Sequence, residues 1–336
     1  EENRARNNEL IRDTEYAQNM DRESGDYSEW WADRDYLNEM EPMKAALLMS
    51  HGFNDWNVMP EHSYRIYAKA QEMGLHTQIY YHQFGHGGPP PVDMMNRWFT
   101  HYLFEVDNGI EEETGAWIVR EYDEPANPTS YADFPNPAAE DVTFYLTSGA
   151  PEHGGLSLEQ AEDQPEETLE DNFSFDGEAL ARAENTDHRL MYVSPVLQDS
   201  LHISGIPSVK IRVASSKPAA NLSVWLVSLP WTERREGRIT DNIITRGWAD
   251  IQNHESIWES EPLVPGEFYE FEFELQPDDQ IIPPGQQIGL MIFSSDKEYT
   301  IHPDPGTELT VDLNGTQLIL PVVGGSEMIS NSLMDW

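Results

Sequence analysis

Cysteine is absent from the 336 residues, and lysine is nearly so, with 5 against 15 arginines. Without thiols the chain can build neither a disulfide framework nor a thiolate metal site. Basic residues total 20 against 61 acidic ones, a formal net charge of −41. That balance excludes a duplex nucleic-acid binder, which needs a basic face to displace phosphate counterions. Long apolar runs are missing too. Ala45–Met49 is among the longest, far below the roughly 20 residues of a membrane span.

What is present is a folding composition. Hydrophobic residues make up 38%, with 10 Trp, 14 Tyr and 12 Phe, well outside the disordered range. A charge of −41 repels itself in the compact state unless salt screens it. The expectation is a protein from a high-salt organism, in the cytoplasm or secreted. It is tested by a urea midpoint that rises from low to molar salt. The sequence opens on Glu1 without a signal-peptide pattern and reads as the C-terminal part of something longer.

Three stretches differ in grammar. Residues 1–42 are polar and charged, with Leu10, Ile11, Tyr16 and Met20 at loose helical spacing. Residues 43–112 alternate. The run KAALLM at 44–49 predicts a strand, SHGFNDWNVMP at 50–60 a loop, and 61–73 a helix closed by Gly74. HTQIYYH at 76–82 predicts a second strand, FGHGGPPP at 84–91 a loop, and 93–106 an amphipathic helix. Such alternation predicts a parallel sheet covered by helices, with both polar loops at the carboxyl ends of its strands. From residue 113 to 336 the pattern becomes β: TGAWIVRE, VTFYLTS, SVKIRVASS, NLSVWLVSL, FYEFEFEL, QIGLMIFSS and TQLILPVV, separated by turn residues. This predicts a β-sandwich or jelly roll. Residues 152–187 hold 12 acidic residues and one arginine. They read as a solvated acidic insertion without the calcium-loop pattern, so no metal is expected.

The chemistry concentrates in the two loops. Asp55 and His86 lie 31 residues apart, each after a predicted strand. An acid loop followed by a His loop is the end of the Ser…Asp…His order of α/β-hydrolases. In that arrangement the His passes the proton of a nucleophilic hydroxyl to the leaving group, and the carboxylate fixes its tautomer. Gly85, Gly87 and Gly88 let the backbone present the ring. On spacing alone, a surface His and a turn-forming Asp remain an open alternative. His51 and His82 read as structural residues at strand ends, and His101 as a helix packing or surface residue.

The strings SHGFNDWNVMP, FGHGG and NRWFTHYLFEVDNGI resemble the Xaa-Pro dipeptidyl-peptidase family of serine hydrolases, which is related to cocaine-type esterases and α-amino-acid ester hydrolases. So do LHISGIPSVKIRVASS and PLVPGEFYEFEFEL. The resemblance covers essentially the whole chain. It implies the end of a helical cap (1–42), the C-terminal part of an α/β-hydrolase catalytic domain (43–112) and a jelly-roll β-sandwich (113–336). It further implies Asp55 as triad acid, His86 as triad base and Asn57 near the substrate's amino end. Trp56 packs the loop or lines the pocket. No cofactor is implied. The partners implied are a peptide with proline at its second position and the missing N-terminal half of the catalytic domain, while the oligomeric state stays open.

One departure is large. The family nucleophile sits in a G-x-S-x-x-G elbow, and none of the serines here, Ser50, Ser157 and Ser326 included, stands in one. The chain alone is therefore expected to be inactive. Two alternatives stay open: an acyl esterase or α-amino-acid ester hydrolase with the same triad, and a non-catalytic binding module using exposed aromatics such as Trp225, Trp231, Trp248 and Trp258.

Overall fold

The computed structural model describes residues 2–121, 123–150, 152–231, 242–302 and 305–333. It is a mixed α/β structure with two sheets. The first has the order β1 (Leu47–Gly52), β2 (Thr77–His82), β3 (Ala116–Ile118), β4 (Thr129–Tyr131). The first three strands run parallel and β4 antiparallel. Helix α1 (Pro60–Glu72) carries the chain from β1 to β2. It begins on a proline, which lacks the N–H that a helix start leaves unpaired anyway. Its Tyr67 and Ala70 turn inward, and Tyr67 joins Phe53, Ile79, Tyr81, Ala116, Ile118, Tyr131 and Phe134 in one core. Helix α2 (Val92–Phe104) follows the second loop and closes on Glu105 in the left-handed region.

Two boundaries differ from the sequence expectation. The first strand runs from 47 to 52 rather than 44 to 49, because pairing with β2 continues through Ser50↔Tyr80, His51↔Tyr81 and Gly52↔His82. Backbone pairing there outweighs the polarity of the side chains. The stretch TGAWIVRE does not open the β-rich part: Ala116 and Ile118 pair in parallel with Ile79 and Tyr81. A short strand buried in a parallel sheet carries no polar face, so it looks the same from either side of the boundary. The second sheet begins only at Ala139.

That sheet has thirteen strands. They are β5 (Ala139–Thr147), β6 (Gly154–Ser157), β7 (Glu166–Glu170), β8 (Leu190–Val193), β9 (Leu201–Gly205), β10 (Ser208–Ser215) and β11 (Asn221–Leu229), followed by β12 (Ile243–Asp250), β13 (Phe268–Glu274), β14 (Asp278–Ile282), β15 (Gln287–Phe293), β16 (Glu308–Asp312) and β17 (Gln317–Val323). The path runs β12-β11-β15-β8-β6-β5-β17-β10-β16-β7. β13 joins β10, and β9 bridges β17 to β14. Its core is aliphatic, with Val209, Ile211, Val213, Leu222, Val224, Leu318 and Leu320 all fully buried.

The acidic segment 152–187 is not a solvated insertion. β6 pairs with β5 and β8, and β7 pairs with β16. In β7 (EETLE) Leu169 is buried and Glu170 exposed, while Glu167, two residues before the leucine and so on its side of the strand, accepts the Tyr192 hydroxyl (2.7 Å) and the Gly149 N–H (2.7 Å). Charge hides a strand of this kind, because one of its glutamates works on the inward side.

The two sheets meet through polar groups. Gln83 Nε2 donates to the Asp279 carbonyl (2.6 Å), Tyr131 Oη to Asp279 Oδ1 (3.3 Å), and the Ile281 N–H to Glu121 Oε1 (2.7 Å). Beside them Asp278 is 2% exposed, and its Oδ2 has no hydrogen-bond partner among the described residues. Burial, then Glu121 and Asp279, push its carboxyl well above the ordinary value. The folded group therefore keeps its proton to higher pH than in the unfolded chain, where it ionises above about pH 4. Folding takes up a proton, so this group's contribution to stability falls as pH rises from about 4 toward its folded pKa. Asp278→Asn titrates in neither state. Its melting temperature relative to the parent is expected to be higher at pH 8 than at pH 4.5, and a pH-independent difference would refute this assignment.

Candidate active site

β1 and β2 are parallel neighbours in register, so the loops that leave them emerge at one edge of the first sheet. The loops touch. A Cβ at Gly52 would lie 2.1 Å from the Phe84 carbonyl oxygen, and one at Gly88 would lie 2.5 Å from His82 Nε2. Gly88 also has φ +118°, a region closed to side chains. Glycine at both places lets the His86 loop fold down over the end of β1.

The contact brings Asp55 and His86 together. His86 Nδ1 lies 2.9 Å from Asp55 Oδ2. A carboxylate only accepts, so the ring proton sits on Nδ1 and leaves Nε2 with its lone pair. The His86 side chain is 67% exposed, against 4% for that of Asp55. Among the described residues no serine hydrogen-bonds Nε2.

Asp55 is fully engaged. Oδ1 accepts the N–H groups of Asn57 and Val58, each at 3.1 Å. Oδ2 accepts from His86 and also lies 3.2 Å from His51 Nε2. Burial alone would raise this carboxyl. The Val58 N–H, His86, the Asn57 N–H and the nearby His51 outweigh it and hold the group below its ordinary value. The result is a buried, ionised acid aimed at an exposed imidazole.

The other histidines brace the loops. His51 Nε2 donates to the Val58 carbonyl (2.9 Å), and its Nδ1 accepts from Ser63 Oγ. It thereby ties β1, the acid turn and α1 together. The i, i+4 spacing of His51 and Asp55 in HGFND was the one signal for this contact. His82 Nδ1 accepts the Phe84 N–H (3.2 Å), and burial lowers its pKa. Asn54 Nδ2 bonds the Gln83 carbonyl (3.0 Å) across the two loops. His101 caps the end of α2 through the Val106 carbonyl (3.0 Å).

Asn57 is exposed, and its N–H is spent on Asp55. Trp56 is half-buried, with Arg246 over its ring (4.3 Å) and Trp248 edge-on (6.4 Å). Among the four tryptophans suggested as binding aromatics, Trp225 is buried, and both Trp225 and Trp248 donate their indole N–H to Asp296. Only Trp258, 48% exposed, stands out. No three His, Asp or Glu side chains among the described residues come together as a metal site. No helix among them is long and apolar enough to cross a membrane.

Residues 108–331 match the family model described as the X-Pro dipeptidyl-peptidase C-terminal non-catalytic domain. The chain belongs to the X-Pro dipeptidyl-peptidase family. Residues 1–88, which hold Asp55 and His86, match the X-Pro dipeptidyl-peptidase S15 family. A candidate Xaa-Pro dipeptidyl-peptidase of Rhodopirellula baltica is 59% identical over 97% of this chain and 52% of its own length. The Xaa-Pro dipeptidyl-peptidase of Lacticaseibacillus rhamnosus is 29% identical over 90% of this chain and 43% of its own. The chain thus spans about half the length of the curated relatives it matches. Among solved structures, an aminopeptidase from a marine-sediment Thaumarchaeota archaeon superposes with TM-score 0.74 at 14% identity, over 95% of this chain and 61% of that one. An α-amino-acid ester hydrolase superposes with TM-score 0.68 at 16% identity, over 93% and 61%. These two share the fold.

Proposed function

We propose that this chain supplies the acid and the base of a serine hydrolase that releases N-terminal Xaa-Pro dipeptides, with the nucleophile provided by sequence outside it. The carrying observation is the 2.9 Å contact from His86 Nδ1 to the buried Asp55 carboxylate. We read residues 43–131 as the end of an α/β-hydrolase sheet and the thirteen-stranded part as its jelly roll.

In this reading His86 Nε2 takes the proton of the serine hydroxyl as it attacks the carbonyl after proline. The same nitrogen then protonates the departing amine. Asp55 holds the ring in the Nδ1–H tautomer and stabilises the imidazolium. Exposed Asn57 faces the substrate side of the turn, and Trp56 serves the loop from beneath. Relatives at 29% and 59% identity carry the dipeptidyl-peptidase name, whereas the ester hydrolase shares 16%, which favours the peptidase over the esterase.

The test uses the gene extended upstream. Release of p-nitroaniline from Gly-Pro-p-nitroanilide, faster than hydrolysis of an acyl ester without an amine, is the expected result. Turnover of the ester alone would overturn the peptidase reading.

A further inference from the structure

The acid loop meets the second sheet at Trp56, and an arginine lies there. Arg246, on β12, is 5% exposed. Its guanidinium carbon lies 4.3 Å from the ring centre of Trp56, 4.2 Å from that of Trp225 and 4.8 Å from that of Tyr299. Nε and Nη1 have no hydrogen-bond partner among the described residues. Oδ2 of the nearby Asp296 accepts the indole N–H groups of Trp225 (2.8 Å) and Trp248 (3.0 Å). A buried guanidinium without a bidentate carboxylate is costly to keep, and an apolar side chain would fill the space more cheaply. What the arginine adds is a cation within about 5 Å of three ring centres at once.

One of those rings belongs to the acid loop. Trp56 stands between Asp55 and the two N–H groups, of Asn57 and Val58, that fix the carboxylate. Its own Nε1 has no hydrogen-bond partner among the described residues, and the ring packs on Arg246 and Trp248. The strand beneath is itself anchored to the hydrolase part. The Gln276 N–H donates to the Arg246 carbonyl (2.8 Å), and Gln276 Oε1 accepts the Glu61 N–H at the start of α1 (3.2 Å).

We propose that Arg246 is a positioning residue: by clamping Trp56 from the domain described as non-catalytic, it sets the Asp55–Val58 turn and hence the orientation of His86. The inference rests on the reading of Asp55 and His86 as acid and base, and its test has one readout that does not depend on activity. In this chain, the ring 15N shifts of His86 report whether the proton sits on Nδ1 or Nε2. Arg246→Met and Arg246→Lys are expected to move His86 toward the Nε2–H form. Trp56→Ala is expected to do the same, while Trp56→Phe keeps a ring and restores the parent spectrum.

In the complete enzyme, Arg246→Met should lower kcat roughly 10- to 100-fold, the scale of a displaced catalytic group, with KM little changed. The pair Arg246→Met, Trp56→Ala should be no slower than either single change, since both remove one clamp. Leu318→Ala, in the core of the second sheet, controls for general destabilisation and should leave both readouts in place. A folded Arg246→Met chain with the parent His86 spectrum would overturn the proposal. So would a kcat loss that Leu318→Ala reproduces at an equal drop in melting temperature. If the complete enzyme turns over neither peptide nor ester, the functional reading fails, and the His86 spectrum still decides whether Arg246 sets the loop.

Discussion

In the complete enzyme, His86→Ala is expected to lower kcat/KM for Gly-Pro-p-nitroanilide by about four orders of magnitude and to leave the melting temperature in place. Both halves follow from the geometry. The imidazole is two-thirds exposed and, among the described residues, makes one hydrogen bond, to Asp55. Its removal costs little packing, and Asp55 keeps the N–H groups of Asn57 and Val58 and the His51 contact. The buried carboxylate is not orphaned. What is lost is the exposed imidazole that couples a buried, ionised acid to the open edge of the sheet. The loss should fall on kcat rather than KM, because the proton moves only during reaction. Asp55→Asn should give a similar rate loss by a different route. An amide donates as well as accepts, so it permits the wrong tautomer of His86. The double variant should be no slower than His86→Ala, since a relay broken once is not broken further. Retention of more than about one-hundredth of the parent rate by His86→Ala would mean that another base serves the serine, and this pair would lose its assignment.

The site was legible because its parts are local. Each loop announces itself by glycine, proline and polar residues between a strand and a helix, and His86 and Asp55 each stand inside one. Parallel strands bring such loops to one edge whatever the side chains do. His51 was harder to read. It lies within β1, and only the strand's shift to Leu47–Gly52 turns its ring toward Asp55 and Ser63. Arg246 could not be read at all. Nothing in IITRGWAD distinguishes an arginine that faces water from one stacked on a tryptophan 190 positions earlier. The same limit explains the boundary near residue 113 and the strands hidden at 154–170. Local pattern reports which face of a segment is apolar, but not which distant strand it pairs with. Gly154, Gly155 and the glutamates of β7 give a weak local signal, and the pairing partners that seat them come from as far away as β16.

Those same strands depend on a group whose role only the fold reveals. Arg189 is fully buried. Its Nη1 donates to the carbonyls of Ala150 (2.7 Å) and Glu152 (2.9 Å), Nη2 to Ala183 (2.7 Å) and Nε to Leu180 (3.4 Å). It cross-links both ends of the acidic segment to the start of β8. Burial pushes it down to about 10, so it is still charged at neutral pH and its donors hold carbonyls that have no water. Arg189→Met keeps the volume and removes every donor. Each orphaned buried carbonyl costs about 1–3 kcal/mol, and relaxation shares part of that, so a net loss of roughly 4 kcal/mol is expected, at the diagnostic end of single substitutions. At about 2–4 °C per kcal/mol for a chain of this size, melting should fall by roughly 10 °C. Arg189→Lys should recover less than half of it, because a point charge cannot span the carbonyls that the planar fork reaches. Hydrogen exchange should locate the damage: amides of β6 and of the helix at Gly177–Arg182 should open first, while β1 and β2 keep their protection. A variant that melts within about 3 °C of the parent would mean that the acidic segment holds itself in place. Its strands would then depend on Leu156 and Leu169 staying in and on the bonds of Glu167 to Tyr192 and Gly149, with Arg189 a passenger in the core.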